Sequence, residues 1–385
     1  MPKYKKKFHF GSREVEFDVN NKLPDTFSEL AIRACLQLVE IYPPFNFPKL
    51  KINLVSEFKG NVFEKHTISE LKNLPIPVSL GGIDPGKKLP EIKLCIDILA
   101  IGVITNNQLS EQEIGYFITG RLNQHCINLF IEQLNKTMMH EGTHLWHKNQ
   151  SEFLKLRKKA RIKAERSLKK YTILKEATKQ NIARFLRIKK NEQFTEILEK
   201  RWLEVWKDVY LMLRNFIELT FIEGIAMYME NMQQYKFEPE RMKKNYEEAL
   251  EVIFNFRKKL YNILQQQKLQ VQEERNLMRS RTPDEIEEFR LIFEELTQEM
   301  EWMENVSYSV GAHMVYFILY SHQNPLFIEE ISKMNVPTFI DEYIKSCRQL
   351  GFAPLISLRG GEGVFDYGRA LIYWRRSAEF IKRKK

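Results

Sequence analysis

The sequence predicts an α+β protein, predominantly α, with a small N-terminal sheet and a large helical remainder. Three observations carry that prediction. The acidic residues are 42 Glu against 8 Asp, and Glu favours helix interiors while Asp prefers caps and turns. The 385 residues contain only 16 Gly and 14 Pro, too few for a turn-rich all-β fold. Period-two alternation and short apolar runs, the marks of strands, are confined to the first hundred residues.

Taken in order, FHFGSREVEFDV reads as a short strand pair, with Val15, Phe17 and Val19 alternating. A capping box of Thr26 and Glu29 starts a helix that ends before Pro43 and Pro44. LKINLVSEF (50–58) and EIKLCIDILAIGVIT (91–105) read as strands, separated by the Gly-Gly and Asp-Pro-Gly turn signals of 81–86. Ser110 and Glu113 form a second capping box, after which helical texture dominates. One helix is expected from about Asn123 through His147, and long amphipathic helices over 150–215, 216–234, 239–279 and 283–303. Thr282 as N-cap, Pro283 and Glu285 mark the last of these starts. A final group covers 325–333, 337–349 and 364–383, divided by Gly351, Pro354 and the Gly360–Gly361 turn. Three regions are expected: 1–148 as an α+β subdomain, 149–215 as a basic helical insertion, and 216–385 as a helical subdomain.

Composition excludes several classes. With 43% apolar and 29% charged residues the chain is globular rather than disordered. Cys35, Cys95, Cys126 and Cys347 stand far apart, which argues against a disulfide framework or a Cys-ligated zinc module and fits a reducing compartment. MPKYKKKFHF has no apolar leader core, and no run approaches eighteen apolar residues. The expectation is a soluble, cytoplasmic protein with no membrane partner. The formal charge is +10, and it has an address. From Lys148 to Arg214 there are 20 basic residues against 8 acidic ones. An acidic stretch, 273–304, carries 11 Glu/Asp against four Arg. The basic run suits a phosphate backbone electrostatically. It lacks an RNP-like aromatic motif, a zinc finger or a P-loop, so a solvated helix surface is the better reading and a nucleic-acid partner is not expected.

The residues that carry chemistry are His140-Glu141-Gly142-Thr143-His144, an H-E-x-x-H motif in helical sequence. Four helical residues turn about 400°, which stacks His140 over His144 on one face. Two imidazoles so placed can hold one Zn²⁺, with Glu141 about 100° round as general base. With 8 His and 42 Glu in the chain, composition alone would produce roughly 0.02 such matches. The bland alternative is a pair of helix-surface histidines. A di-iron site needs a second E-x-x-H, which the chain lacks. His147 lies about 10.5 Å further along the helix than His140, too far for the same ion, and an outward or supporting role is expected. A catalytic zinc takes three protein ligands and keeps one position open. The best third ligand is Glu223, a carboxylate in the apolar stretch FIELTFIEGIAMYME (216–230), since a buried Glu is costly unless it meets a cation. Gly224 and Ala226 are expected to bring this segment close to the H-E-x-x-H helix.

His140-Glu-Gly-Thr-His144 followed by Glu223-Gly-Ile-Ala226 resembles the gluzincin class of zinc metallopeptidases. The resemblance covers about 140–230 and the strands before it. It implies a small sheet followed by a zincin-like active-site helix, with zinc held by His140, His144 and Glu223. It also implies an edge strand that binds extended peptide, a place 91–99 would fill. From the same resemblance Tyr308 or His313, in Tyr308-Ser-Val-Gly311-Ala-His313, stabilises the oxyanion, and Gly311 and Ala312 permit close backbone approach. Two departures stand out. The gap from His144 to Glu223 is 79 residues, and Met227 occupies a place where thermolysin-like relatives carry an acid. Carboxylates that orient the imidazoles are expected as well, with Glu218 and Glu230 both open.

The function expected is therefore zinc-dependent hydrolysis of peptide bonds, with peptide or protein as substrate and Glu141 accepting a proton from water. The alternative is a non-catalytic helical binding protein that uses 148–214 to engage nucleic acid or an acidic partner.

Overall fold

The computed structural model describes residues 3–20, 25–56, 67–72, 81–83, 89–107, 109–151, 216–232, 235–274, 305–358 and 363–370. It is mostly helical with a small mixed sheet, as the composition predicts. Two compact units result. The first holds residues up to Gln150 together with Met229–Met232, and the second holds the remaining described residues. The expected insertion 149–215 lies outside the described residues from 152 onward, as do the predicted cap at Thr282, the helix 283–303 and the tail beyond 370.

The first unit is built on a five-stranded sheet. β1 (Lys3–Phe10) and β2 (Arg13–Asn20) form an antiparallel hairpin turned at Gly11, whose φ of 59° suits glycine. β3 (Lys49–Val55) pairs parallel to β2, and β5 (Glu91–Cys95) pairs parallel to β3. β4 (Gly81–Ile83) closes the far edge antiparallel to β5, giving the order β1-β2-β3-β5-β4. The register stacks Val15 on Leu50, Phe17 on Ile52 on Ile92, and Val19 on Leu54 on Leu94. All eight are at most 1% exposed, and each such side chain contributes about 1.5–3 kcal/mol on burial.

The opposite face carries charge in matched rows. Glu14, Glu16 and Asp18 of β2 lie between lysines of β1 and β3. The Lys49–Glu14 pair closes to 2.9 Å, Lys5–Glu16 to 3.0 Å and Lys51–Asp18 to 2.8 Å. The Lys49 hydrogen bond holds Glu14 below the usual carboxylate range, and that of Lys5 does the same for Glu16. Burial pushes Asp18 up, but Lys51 and Lys5 together outweigh it and the net shift is down. A carboxylate on β2 therefore always faces a lysine of a neighbouring strand, the pairing that stabilises a solvated sheet face.

Helices cover the apolar face. α1 (Asp25–Ile41) ends before the Pro43–Phe45 3-10 turn, as predicted. The short α2 (Ile68–Lys72) follows. The run 91–105 is a strand only as far as Cys95; α3 (Ile96–Asn106) then follows without a loop. Periodicity could not separate the two, because every residue from Ile96 to Ile104 is buried. The decisive residue is Asp97, which accepts from the Ile98 N–H at 2.9 Å and from Ser56 Oγ at 2.7 Å, satisfying a first-turn donor. α4 (Glu111–Thr119) starts with the predicted box, Ser110 N–H donating to Glu113 at 2.8 Å and Glu113 N–H to Ser110 at 3.3 Å. α5 (Gln124–Gln150) is capped by Asn123, which accepts from the Cys126 N–H at 2.8 Å. It packs on α1, α3, β4, β5 and the Pro43–Phe45 turn.

Residues 216–230 form α6, whose last two residues, Met229 and Glu230, belong to the first unit; in the second unit Pro239–Glu274 form α7 and 305–322 form α8. A 3-10 turn (Pro325–Phe327), α9 (Ile328–Lys333) and α10 (Val336–Leu350) follow. The tail from 364 begins not as helix but as β7 (Phe365–Asp366), parallel to β6 (Ile356–Ser357). Phe216 of α6 stacks on Phe256 of α7 at 4.7 Å, and Phe365 meets Phe256 edge-on at 5.1 Å. Among the described residues no helix is long and apolar enough to cross a membrane.

Candidate metal centre

α5 sets the two histidines. Phe130, Leu134, Met138 and Leu145, at most 4% exposed, bury one side of the helix. Gly142, inside the motif, lies against the ring of Phe45: a Cβ there would overlap the ring carbons. A small residue in the motif is thus required by packing on the Pro43–Phe45 turn. The motif's Thr143 is fully buried, and its hydroxyl donates back to Met139 O at 2.7 Å. With that side held, His140 is half-buried and His144 is 6% exposed.

The two imidazoles meet at their Nε2 atoms, 3.1 Å apart, with the rings nearly perpendicular at 87°. Glu223, 7% exposed, supplies the third donor: one ligand atom from each of His140, His144 and Glu223 lies within 4.8 Å of the others. The three metal ligands expected from the sequence are the three residues the chain brings together. The donors fit a small divalent cation. Bonds of about 2.0–2.1 Å at tetrahedral angles put neighbouring ligand atoms about 3.3 Å apart, close to the 3.1 Å between the Nε2 atoms. Two imidazoles with one carboxylate is a donor set that suits zinc. His140 has a further partner: its Nδ1 lies 3.1 Å from Glu230 Oε2. Sequence had left Glu218 and Glu230 equally open.

Glu141 is half-buried beside the cluster's first histidine. Of the outward and supporting roles expected for His147, burial excludes the outward one: it is 1% exposed, inside the first unit. Gly224 does approach another helix closely, but the helix is α8. A Cβ on Gly224 would collide with the Gly311 backbone, and one on Gly311 with Thr220 O. Tyr308, half-buried, sits one turn before Gly311 and about 60° round, on the side of α8 turned toward α6.

His313 falls on another face, about 200° from Gly311. It is 1% exposed, with its ring 4.4 Å from Phe317 and near Tyr246 and Tyr343. Its Nδ1 donates to Asn245 Oδ1 at 2.6 Å, while Nε2 has no hydrogen-bond partner. Burial lowers its pKa to about 3. A neutral histidine enclosed by aromatic rings is a core residue.

No family model matches the chain, and neither a curated protein nor a solved structure matches it either. What the chain does must be read from the site. The basic stretch beyond Ser151 and the acidic stretch beyond Glu274 lie outside the described residues, so no contact between them enters that reading.

Proposed function

We propose that this protein is a zinc-dependent peptidase. The observation that carries the reading is the convergence of His140, His144 and Glu223 within 4.8 Å, with Glu141 next in sequence to the first. Among the described residues the cluster offers three donors. Structural zinc sites close with four, while catalytic ones keep a position open for water or substrate. A zinc ion held there supplies Lewis acidity, polarising a carbonyl and acidifying water at the open position.

The chain's own residues do the rest. His140 and His144, with Nε2 atoms 3.1 Å apart, and the Glu223 carboxylate are the residues that would hold the ion. Glu141 takes the proton from the attacking water and returns it to the leaving amine, the usual work of a positioned carboxylate. Tyr308 is assigned the donor that steadies charge on the former carbonyl oxygen. The edge strand expected at 91–99 is not an edge: only Glu91–Cys95 is strand, and β4 pairs along it, so the sheet's edges are β1 and β4; if extended peptide adds to this sheet next to α5, it adds to Gly81–Ile83.

Metal analysis of the purified protein, paired with turnover of a fluorogenic peptide library, tests the reading. Glu141→Gln should keep one zinc per chain and lose about 10²- to 10⁴-fold in rate, the share general-base catalysis supplies. Full activity in that variant, or no zinc in the wild type, would overturn the proposal.

A further inference from the structure

A neutral imidazole carries one N–H and one lone pair, and only the nitrogen with the lone pair can bind a cation. Which nitrogen is bare depends on the hydrogen bond the other one makes. His140 turns Nε2 toward His144 and Nδ1 toward Glu230, each at 3.1 Å. A carboxylate can only accept, so the Glu230 contact requires the hydrogen on Nδ1, which in the neutral ring leaves Nε2 bare. We infer that Glu230 is the positioning residue for His140, holding its Nε2 lone pair toward the ion. This rests on the zinc reading proposed above.

Helical geometry supports the assignment. Glu223 and Glu230 are seven residues apart on α6, a rotation of about 700°, so both point to one side two turns apart. One helix thereby offers a carboxylate to the ion and a second carboxylate to a ligand of that ion. Glu218 lies about 140° away from Glu223 and cannot share that side. The Glu230 and His140 side chains are only 19% and 17% exposed, so water competes weakly for the Nδ1 proton. Outer carboxylates of this kind orient a ligating histidine and raise its basicity.

The test has two readouts. The first is zinc affinity, by competition with a chromophoric chelator, for wild type, Glu230→Ala and Glu230→Gln. The second is the His140 tautomer in metal-free protein, read from ¹⁵N shifts of the ring. Wild type should hold hydrogen on Nδ1. Glu230→Ala should lose that preference and bind zinc about 10- to 100-fold more weakly. Glu230→Gln, which keeps the volume and an acceptor oxygen but no charge, should fall between. Unchanged affinity in Glu230→Ala overturns the assignment and leaves the proposed function standing. Wild type that binds no zinc overturns the proposed function, and the tautomer then decides on its own: the same tautomer in wild type and Glu230→Ala overturns the role of Glu230.

Discussion

Gly224 and Gly311 face each other where α6 meets α8, and neither position has room for a Cβ. Glycine usually weakens a helix by about 1 kcal/mol relative to alanine, so two facing glycines in buried helices signal a contact worth more than that. Gly311→Ala would drive its methyl into Thr220 O and Gly224→Ala into the Gly311 backbone. Backbone cannot rotate aside as a side chain can. Each variant is expected to be less stable by about 1–3 kcal/mol despite better helix propensity. Urea denaturation checks this, and a midpoint equal to or above that of wild type would show that α6 can shift freely. Because Glu223 is the neighbour of Gly224, the same variants should also bind zinc more weakly.

A ligand that binds only the folded chain raises its stability by an amount set by its concentration and affinity. Zinc at about 100 times its dissociation constant should add about 2.7 kcal/mol, seen as a higher melting temperature that a chelator reverses. Glu223→Ala removes one of three donors, so its melting curve should no longer respond to zinc. If the wild-type curve also ignores zinc, the cluster does not hold the ion.

His313 predicts a dependence of stability on pH. Its folded pKa is about 3, below the 6.5 of a solvated histidine, because burial disfavours the charged ring. Above pH 6.5 it is neutral in both states and contributes nothing to the slope. Between 6.5 and about 3 the unfolded chain takes up the proton and the folded chain does not, so stability falls by about 1.4 kcal/mol per pH unit. Asn245, Phe317, Tyr246 and Tyr343, which surround the ring, do not titrate in that range. His313→Gln should flatten the slope between pH 6 and 4.5, measured by denaturation at each pH. A slope unchanged by the substitution would place the proton uptake elsewhere. The lysine-held carboxylates of β2 add their own loss at lower pH, since their pKa values are depressed.

What was legible in the sequence and what was not divide on physical grounds. The cluster was legible because a helix converts spacing directly into geometry: His140 and His144 share a face whatever surrounds them. Glu223 could be picked because a carboxylate flanked by apolar and small residues, Phe221, Ile222, Gly224, Ile225 and Ala226, demands a partner. Periodicity would also have chosen Glu230 over Glu218, had Glu223 been used as the reference for the face. The strand-to-helix change at Cys95 was illegible, because a segment buried on all sides shows no period. β1 was read only from Phe8, because the lysine-rich run before it shows no apolar alternation. Only the paired carboxylates of β2, remote in sequence, make that run a strand. His313 was misplaced by proximity to Gly311: two residues apart on a helix means opposite faces.

Gly142 and Phe45 give the most local test of how packing supports the site. Gly142 stands between the two histidines' turns of α5, and Phe45, fully buried, fills the space a Cβ would take. Gly142→Ala should therefore push the ring or the helix, at a cost of about 1–3 kcal/mol. Phe45→Leu alone leaves a partial void and is also destabilising. Combined, the two should recover part of the loss, because the added methyl enters space the smaller side chain vacates. A double-mutant cycle by denaturation measures that coupling, expected at 0.5 kcal/mol or more for residues in contact. Strict additivity would mean that α5 relaxes away from Phe45 rather than pressing on it. Zinc affinity separates the two routes by which Gly142→Ala can act. If the ring yields, His140 and His144 keep their 3.1 Å spacing and affinity holds. A displaced helix carries both imidazoles away from Glu223, and affinity falls together with stability.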